Sequence, residues 1–457
     1  MLFNDLFQRF VAASPISVMA QGVLERALSA DRLDAMFEKT AQRQYTKTLL
    51  FSTTADLMSL VVCRVRPSMH AAYQAKKAEV GVSLRALYDK LQCLEPAISE
   101  ALVKHTAARL EPLIRRMKGT ATPLVTGYRT KILDGNHLGK SDRRLAELRD
   151  VAAGPLPGQT LVVLEPELGL ASGVICCEDG HAQERKLLKQ IWSMVEENDL
   201  WIADRNFCTT DFLFGLSVRQ GFFIIRQHGS TLTWTKEGRE SRKPSAPNGE
   251  VFERKLWLQD AEGNELVVRQ VTLKLKTPTR DGETTIRLVT NLPAKVLAAK
   301  VAALYRERWT IEQLFQRLTQ LLRCEVQTLG YPKAALFGFC VALAASNAMA
   351  TVKAALRATH KNVDLDDELS DFCMADELSA THRGMMIALP EAQWAPLATM
   401  TDREFATWLT TIAKQTPLTR YKKYARGPKT PRPRRTRFRA KRHVSTAKLL
   451  ADRDKRR

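Results

Sequence analysis

The stretch that decides the fold runs from Leu304 to Leu322 and reads LYRERWTIEQLFQRLTQLL. On a helical period its apolar residues form one stripe, which consists of Leu304, Ile311, Leu314, Phe315, Leu318 and Leu322. Arg308, Glu312 and Thr319 fall together on the neighbouring face of this predicted helix. Arg308 and Glu312 could form an ordinary exposed ion pair, which contributes about a few tenths of a kcal/mol. Because Tyr305 precedes Arg308 by one helical turn, the same segment also offers a carboxylate beside two groups able to hold phosphate.

Length and composition indicate a soluble protein that binds a polyanion. The chain has 457 residues, 45% of them hydrophobic, which predicts two or three globular domains. Its formal charge is +21, and the segment 418–457 contains seventeen Lys or Arg against two Asp. Such a basic tail favours nucleic acid as the partner.

Other composition signals place the protein in the cytoplasm, associated with the nucleoid. Asp5 and Arg9 interrupt the apolar positions near the start, so no signal peptide is apparent. The longest apolar stretch, 336–350, looks too short to span a bilayer and contains Ser346 and Asn347, so we expect no membrane association. The eight cysteines are scattered without a C-x-x-C pair, which implies neither a disulfide framework nor a structural zinc.

Residues 1–118 have helical periodicity throughout and predict an all-helical N-terminal domain. Ser29 and Ser83 stand where helix caps are expected. An all-helical module rich in Arg and Lys can present a helix to DNA, and it can equally be a scaffold with no such role.

Beyond residue 118 the period changes to that of strands alternating with helices. Five strands are predicted: one within 126–136 that ends at Asp134-Gly135, two at 161–167 and 171–177, one within 199–207 that ends at Asp204, and one at 221–226. Helices are predicted at 182–198 and 209–218. A meander of three strands followed by alternating helices and strands is the order of an RNase H-like α/β fold. We therefore assign 119–226 to the first part of such a catalytic core.

The remaining segments follow from composition. Residues 227–291 predict a β-rich insertion, because a Pro, Gly and charge-rich patch precedes three alternating strands. Residues 292–417 predict the second part of the core, with the Glu-bearing helix and C-terminal helices. Residues 418–457 predict a disordered basic tail, because prolines interrupt it and its charges repel one another.

Three carboxylates are candidate ligands for divalent metal ions. Asp134 and Asp204 each follow a predicted strand, and in an RNase H-like sheet these strand ends lie side by side, where a following helix can bring Glu312. Two ions about 3.5–4 Å apart could then support phosphoryl transfer, and Mg²⁺ suits such oxygen ligands. Taken singly, Asp134 before Gly135 reads as an ordinary turn, and so does Asp204 before Arg205. The joint pattern is more specific.

The segment resembles a known signature. Tyr305, Arg308 and Glu312, separated by two and three residues, are similar to the Y-(2)-R-(3)-E-(6)-K signature of the insertion-sequence-four family of bacterial DDE transposases, which includes the Tn-five and Tn-ten type enzymes. ILDGNHL resembles the segment of that family's first aspartate, and IADRNF resembles that of the second. The resemblance covers about 126–322. It departs at Thr319, where the family has Lys.

The resemblance implies roles for individual residues. Asp134, Asp204 and Glu312 would be catalytic and bind Mg²⁺, for which Mn²⁺ could substitute. Tyr305 and Arg308 would contact DNA phosphate.

Two further residues are candidate DNA contacts. The resemblance places Trp309 near the DNA end, where an indole could stack on an extruded base, although a core-edge aromatic reading is equally open. Arg323 would substitute for the lysine that Thr319 replaces, since at 100° per residue it lies about 40° from Thr319 on the same helix. Lys140, Arg143 and Arg144 could add positive potential at this edge or form a solvated face.

The sequence therefore predicts a DNA transposase that cuts an insertion sequence at its terminal inverted repeats and joins it to target DNA. The resemblance implies a cut-and-paste route, with a hairpin intermediate, in a homo-oligomeric synaptic complex, most simply a dimer, on double-stranded DNA. Two alternatives stay open: a structure-specific RNase H-like endonuclease, and a catalytically inactive DNA-binding protein derived from a transposase, for which Thr319 is the one hint.

Overall fold

A helical region precedes the first strand. The computed structural model describes residues 4–44, 48–139, 155–229, 232–279, 282–326, 328–424 and 444–456. Within the first two of these ranges the helices are α1 (Asp5–Ala13), α2 (Pro15–Ala27), α3 (Ala30–Thr40), α4 (Phe51–Val62), α5 (Met69–Ala75), α6 (Lys77–Val80), α7 (Leu84–Cys93) and α8 (Pro96–Met117). Pro15 and Pro96 begin their helices at a position where no backbone N–H is required. Ser83 caps α7 by accepting a hydrogen bond from the Ala86 amide at 3.2 Å. Ser29 occupies the equivalent position before α3, but its side chain makes no capping bond within the described residues.

One twisted sheet forms the centre of the molecule. Its first strands are β1 (Arg129–Leu138), β3 (Gly158–Glu165), β4 (Leu170–Cys177), β5 (Asp199–Ala203) and β6 (Phe222–Arg226), and the short β2 (Pro155–Leu156) lies outside it. β1, β3 and β4 form an antiparallel meander, whereas β5 pairs parallel with β1 and β6 parallel with β5. β5 is buried along its whole length, as expected for a parallel strand covered on both faces. The five predicted strands are confirmed as strands.

The predicted β-rich insertion extends this same sheet. Its strands are β7 (Trp234–Glu237), β8 (Ser241–Ala246), β9 (Gly249–Gln259), β10 (Glu265–Leu275) and β11 (Thr285–Thr290). The order across the sheet is β4-β3-β1-β5-β6-β11-β10-β9-β7, with β8 also pairing with β9. The Pro and charge-rich patch does contain strands, β7 and β8. Pro244 is tolerated in β8 because this strand pairs on one side only.

The segment between β4 and β5 differs from the prediction. We predicted an amphipathic α-helix at 182–198, and the structure has a 3₁₀ helix at Glu184–Met194. A spacing of three residues keeps Leu188 and Ile191 in line on its buried side, which the tighter helix accommodates. A second short 3₁₀ turn (Arg205–Phe207) follows β5, and α9 (Thr210–Val218) begins where a helix was predicted.

The second half of the chain is mostly helical after β11. Its α-helices are α10 (Ala298–Arg306), α11 (Trp309–Gln320), α12 (Pro332–Thr359), α13 (Leu365–Glu368), α14 (Asp371–Ala388), α15 (Ala395–Thr399), α16 (Asp402–Gln415) and α17 (Thr446–Arg456). Short 3₁₀ turns lie at Glu391–Gln393 and Leu418–Tyr421. The run 304–322, predicted as a single helix, is two helices that meet at Glu307 and Arg308.

α12 is the central helix of the fold. This helix is longer than the apolar run 336–350 suggested, and by length and composition it could cross a membrane. However, 78% of its most apolar window is buried inside the structure. It packs against α2, α4, α8 and α16 as well as against β3 and β4. Two buried clusters therefore join the helices before β1 to the rest of the chain.

Part of the basic tail is folded. The short strand β12 (Val444–Ser445) pairs parallel with β2 and leads into α17, and Lys448 lies 3.1 Å from Asp179 on the core. The expectation of disorder for 418–457 is wrong for 418–424, which contains a 3₁₀ turn at Leu418–Tyr421, and for 444–456, which has a strand partner and an ion pair. Residues 425–443 lie outside the described residues.

We expect Gly119→Ala to destabilise the fold. A methyl group there would lie 2.2 Å from the carbonyl oxygen of Ala354, and a backbone contact of that kind between α8 and α12 cannot relax cheaply. The expected loss is about 1–3 kcal/mol, measured from urea unfolding curves. Gly384→Ala is the matched control: nothing lies within 4 Å of that position on α14, so this variant should gain about 0.5–1 kcal/mol. Equal midpoints for Gly119→Ala and wild type would contradict the expected close approach.

Candidate active site

The two candidate aspartates lie at one edge of the central sheet. β1 and β5 pair in parallel up to Leu133 and Ala203, so Asp134 and Asp204 each follow the last paired residue. The prediction that the first strand ends at Asp134 was wrong, because β1 continues to Leu138 along its antiparallel partner β3. What ends there is the pairing with β5. Both aspartates therefore lie at one edge of the sheet, where the β1–β5 pairing ends. At Asp134 the chain continues as a strand and does not turn.

The break between α10 and α11 brings Tyr305, Arg308 and Glu312 over that edge. The amides of Glu307 and Arg308 bond to carbonyls three residues earlier, at 3.0 and 3.2 Å, which tightens the chain for one turn. Ile311 and Leu314 are fully buried against the core and fix the orientation of α11. Arg308 itself keeps a helical backbone, with φ −52° and ψ −32°.

Five side chains lie together as two hydrogen-bonded groups whose charges act on one another. Arg308 donates through Nη1 to Asp134 Oδ2 at 2.8 Å and through Nη2 to Glu312 Oε1 at 2.6 Å. Tyr305 Oη donates to Asp204 Oδ1 at 3.1 Å. The structure thus brings the three predicted carboxylates together with Tyr305 and Arg308, although 178 residues of chain separate Asp134 from Glu312.

Burial and neighbouring charges shift the pKa values of the side chains in this cluster. Burial raises the pKa of Asp134 to about 6, against the opposing effect of Arg308, and the neighbouring Asp204 and Glu312 charges raise it further. Burial also raises the pKa of Tyr305, and the Asp204 charge adds to this, so the phenol stays a hydrogen-bond donor. Burial works to lower the pKa of Arg308, but Tyr305, Asp134 and Glu312 outweigh it and raise the pKa above its ordinary value. The guanidinium therefore remains charged.

The three carboxylates are the kind of ligand that a divalent cation binds. In this structure, however, two of them are bound to the Arg308 guanidinium. Among the described residues no group of three His, Cys, Asp or Glu side chains is close enough together to hold a metal ion. The Arg308 guanidinium takes the position between Asp134 and Glu312. Three carboxylates supply the hard oxygen ligands that Mg²⁺ requires. Burial is the main cause of the raised pKa of Asp134, and the charges of Asp204 and Glu312 add to it.

The two other predicted DNA contacts lie in different surroundings. Trp309 is 58% exposed beside the cluster, with the Arg308 guanidinium carbon 5.5 Å from its ring centroid, so it is not a core-edge aromatic. Arg323 lies beyond α11, which ends at Gln320, so the helical rotation used to select it does not apply. Its guanidinium donates to the Pro67 carbonyl and its amide to the Val62 carbonyl, at the end of α4. Lys140, Arg143 and Arg144 lie outside the described residues.

Sequence reasoning missed two residues at this edge. β5 and β6 pair in parallel up to Ala203 and Ile225, so Arg226 occupies on β6 the position that Asp204 occupies after β5. The register of these two strands could have revealed it. Glu184 approaches from the 3₁₀ helix, where its carboxylate fills the space that a side chain on Gly135 would need. No sequence signal pointed to Glu184.

Comparison with known proteins agrees with this geometry. Residues 160–347 match the family model of a transposase DDE domain. The matched segment contains Asp204, Tyr305, Arg308 and Glu312 and begins after Asp134. No curated protein matches the chain. The domain match supports a DDE transposase, which acts on DNA.

We expect Asp134 to make stability depend on pH in metal-free buffer. Since its pKa is raised from 3.8 to about 6, the folded protein binds this proton more tightly than the unfolded chain. The resulting stability is present at low pH and is lost as the pH rises through that window. Asp134→Asn cannot ionise, so its thermal midpoint should rise relative to wild type between pH 3.8 and about 6. A difference that stays constant over this window would contradict the raised pKa.

Proposed function

We propose that this protein is a Mg²⁺-dependent transposase of the insertion-sequence-four type, which cuts DNA at terminal inverted repeats and joins the ends to target DNA. The observation that carries the proposal is the cluster of Asp134, Asp204 and Glu312 on Tyr305 and Arg308. The transposase DDE domain match includes four of these five residues. The remaining one, Asp134, joins them through its bond to Arg308.

The strand order supports an RNase H-like core. A three-stranded antiparallel meander with two parallel strands added beside its first strand is the arrangement expected for that fold. In this proposal 119–226 and 292–417 form the core, and 227–291 is an insertion between β6 and the helix that carries Glu312. Residues 1–118 would be a helical DNA-binding region, and the basic tail 418–457 would add contacts to phosphate.

In the proposed reaction Asp134, Asp204 and Glu312 would hold the metal ions. Bound Mg²⁺ would activate the attacking water or 3′-hydroxyl and stabilise the leaving oxygen of the phosphodiester. The chain's own task is then to release Arg308 from its two carboxylates. Arg308 Nε is buried without a hydrogen-bond partner among the described residues, so this side chain has donor capacity for a phosphate oxygen. Trp309, exposed beside it, offers a flat surface to an unstacked base.

The proposed partners and setting follow from the resemblance. The enzyme would act as a homo-oligomer, most simply a dimer, that brings two ends of double-stranded DNA together in the cytoplasm, at the nucleoid. A cut-and-paste route with a hairpin intermediate belongs to the same proposal. Thr319, exposed and bonded to the Phe315 carbonyl at 3.0 Å, supplies no positive charge where the family has lysine.

The test replaces each carboxylate and measures joined products. Asp134→Asn, Asp204→Asn and Glu312→Gln should each reduce strand joining by at least about 100-fold with Mg²⁺ or Mn²⁺, since even the outer partners of metal ligands cost about 10–100-fold when removed. The substrate would be the DNA that flanks the coding region, supplied with a target plasmid. Glu307→Gln is the matched control, because Glu307 borders a cavity on the other side of α11. This variant should join at the wild-type rate.

Each alternative has its own outcome in the same assay. Cleavage that depends on the three carboxylates but gives no joined product under any divalent ion would favour a structure-specific endonuclease. A wild-type protein as inert as Asp134→Asn on its own ends would favour an inactive DNA-binding derivative, the reading that Thr319 favours. Mn²⁺ adds an independent readout: it should raise the thermal midpoint of wild type more than that of Asp204→Asn.

A further inference from the structure

Four arginines gather where the helices α2, α3, α8 and α16 meet. We refer to Arg26, Arg32, Arg109 and Arg116 as the arginine cluster. Arg32 Nη1 donates to the Arg26 carbonyl at 2.7 Å, and Arg26 donates to the Asp402 carboxylate. The bond from Arg26 lowers the pKa of Asp402, and the charges of Arg109 and Arg116 lower it as well. One carboxylate therefore contacts Arg26 and feels the charges of the other three arginines.

The bond between Arg26 and Asp402 helps to hold neighbouring helices together. The Arg26 side chain is buried, donates to the Met400 carbonyl at 2.5 Å and the Leu397 carbonyl at 3.3 Å, and lies over the Phe405 ring at 4.9 Å. These bonds fix α16 against α2. Asp402 pairs directly with Arg26, and its single charge acts on the other three arginines only at longer range.

The other three arginines carry more positive charge than the one acid beside them, Asp402, offsets. Within the described residues Arg32, Arg109 and Arg116 form no ion pair, and Arg109 Nε is buried without an acceptor. Burial lowers the pKa of Arg32, and the like charges of Arg109 and Arg26 lower it further, against the opposing effect of Asp402. Arg115, the neighbour of Arg116, shows the contrast, because it pairs with Glu111 at 2.8 Å.

Nearby groups do not remove this excess. Burial lowers the pKa of His105, one turn before Arg109, and the Arg109 charge lowers it further, so the imidazole is neutral at pH 7. Packing like charges together without counter-ions costs stability, and such sites are arranged where an anion will bind. Arg109 and Arg116 are two helical turns apart, roughly 10 Å along α8. At that spacing on one face of α8, the two side chains could reach different phosphates of the same strand.

We propose that Arg32, Arg109 and Arg116 bind the phosphate backbone of duplex DNA, as a second contact on elements separate from those of the catalytic edge. The choice of DNA among polyanions rests on the proposed function. Arginines that meet phosphate position the duplex and carry little sequence information. The contact should therefore be insensitive to sequence and strongly dependent on salt.

The test compares two triple variants of equal charge. Arg32→Gln/Arg109→Gln/Arg116→Gln removes the proposed contacts, and Arg9→Gln/Arg43→Gln/Arg85→Gln removes three exposed arginines elsewhere on the helical region. Binding of a labelled random-sequence duplex is measured by fluorescence anisotropy in EDTA over a range of NaCl. The slope of log affinity against log salt should become shallower by about 2–3 in the first triple, about 0.9 for each lost phosphate contact, and by less than about 1 in the second.

Several outcomes would overturn the proposal. Equal slope changes in the two triples would mean that only net charge matters, and wild-type binding by the first triple would mean that the site holds only isolated anions or another partner. Because Arg109 is partly buried, thermal unfolding checks the fold of that triple. If it unfolds, the exposed Arg116→Gln alone should still reduce the slope by about 1, and an unchanged slope there refutes the contact.

The assay is independent of catalysis, so the two proposals can fail separately. Carboxylate-dependent joining with an unchanged salt slope would refute the DNA contact and leave the transposase. A reduced slope in a protein that joins nothing would refute the enzyme and leave the contact.

Discussion

The bond pair made by Arg308 is the constraint on which the candidate site depends. One buried guanidinium neutralises an aspartate of the central sheet and a glutamate of its own helix, at 2.8 and 2.6 Å. Without a cation between them, two partly buried carboxylates repel each other and favour protonation. Arg308 therefore holds α11 over the sheet edge in the absence of metal. In the proposed function a divalent ion would need the same position, so its binding would require Arg308 to move.

Much of this arrangement could be predicted from sequence because its determinants are local. The strands around Asp134 and Asp204 are recognisable from their apolar runs, and the Tyr305, Arg308 and Glu312 spacing is legible within two helical turns. That Asp134 and Asp204 lie at one edge followed from the expected RNase H-like sheet, in which the first and fourth strands end side by side. These inferences required no knowledge of how distant segments pack.

The features that were missed depend on tertiary contacts. β1 continues past Asp134 because β3 supplies a partner, which no pattern within β1 reveals. Arg323 was assigned to a helix that in fact ends three residues earlier. Its guanidinium instead donates to the carbonyl of Pro67, which belongs to the distant helical region. The segment 444–456 is ordered by a strand partner nearly three hundred residues away in sequence. Each error has the same source, since local propensity yields to pairing with remote chain.

The extension of the central sheet into the insertion has a mechanical consequence. β6 and β11 are joined by a ladder that includes Arg226 and Leu288, and β11 leads within a few residues into α10. Sliding or tilting the insertion would break these backbone bonds, so the sheet holds it in place relative to the edge that carries Asp134 and Asp204. A partner that bound the far strands β7 and β9 would therefore be held at a fixed position relative to Asp134 and Asp204.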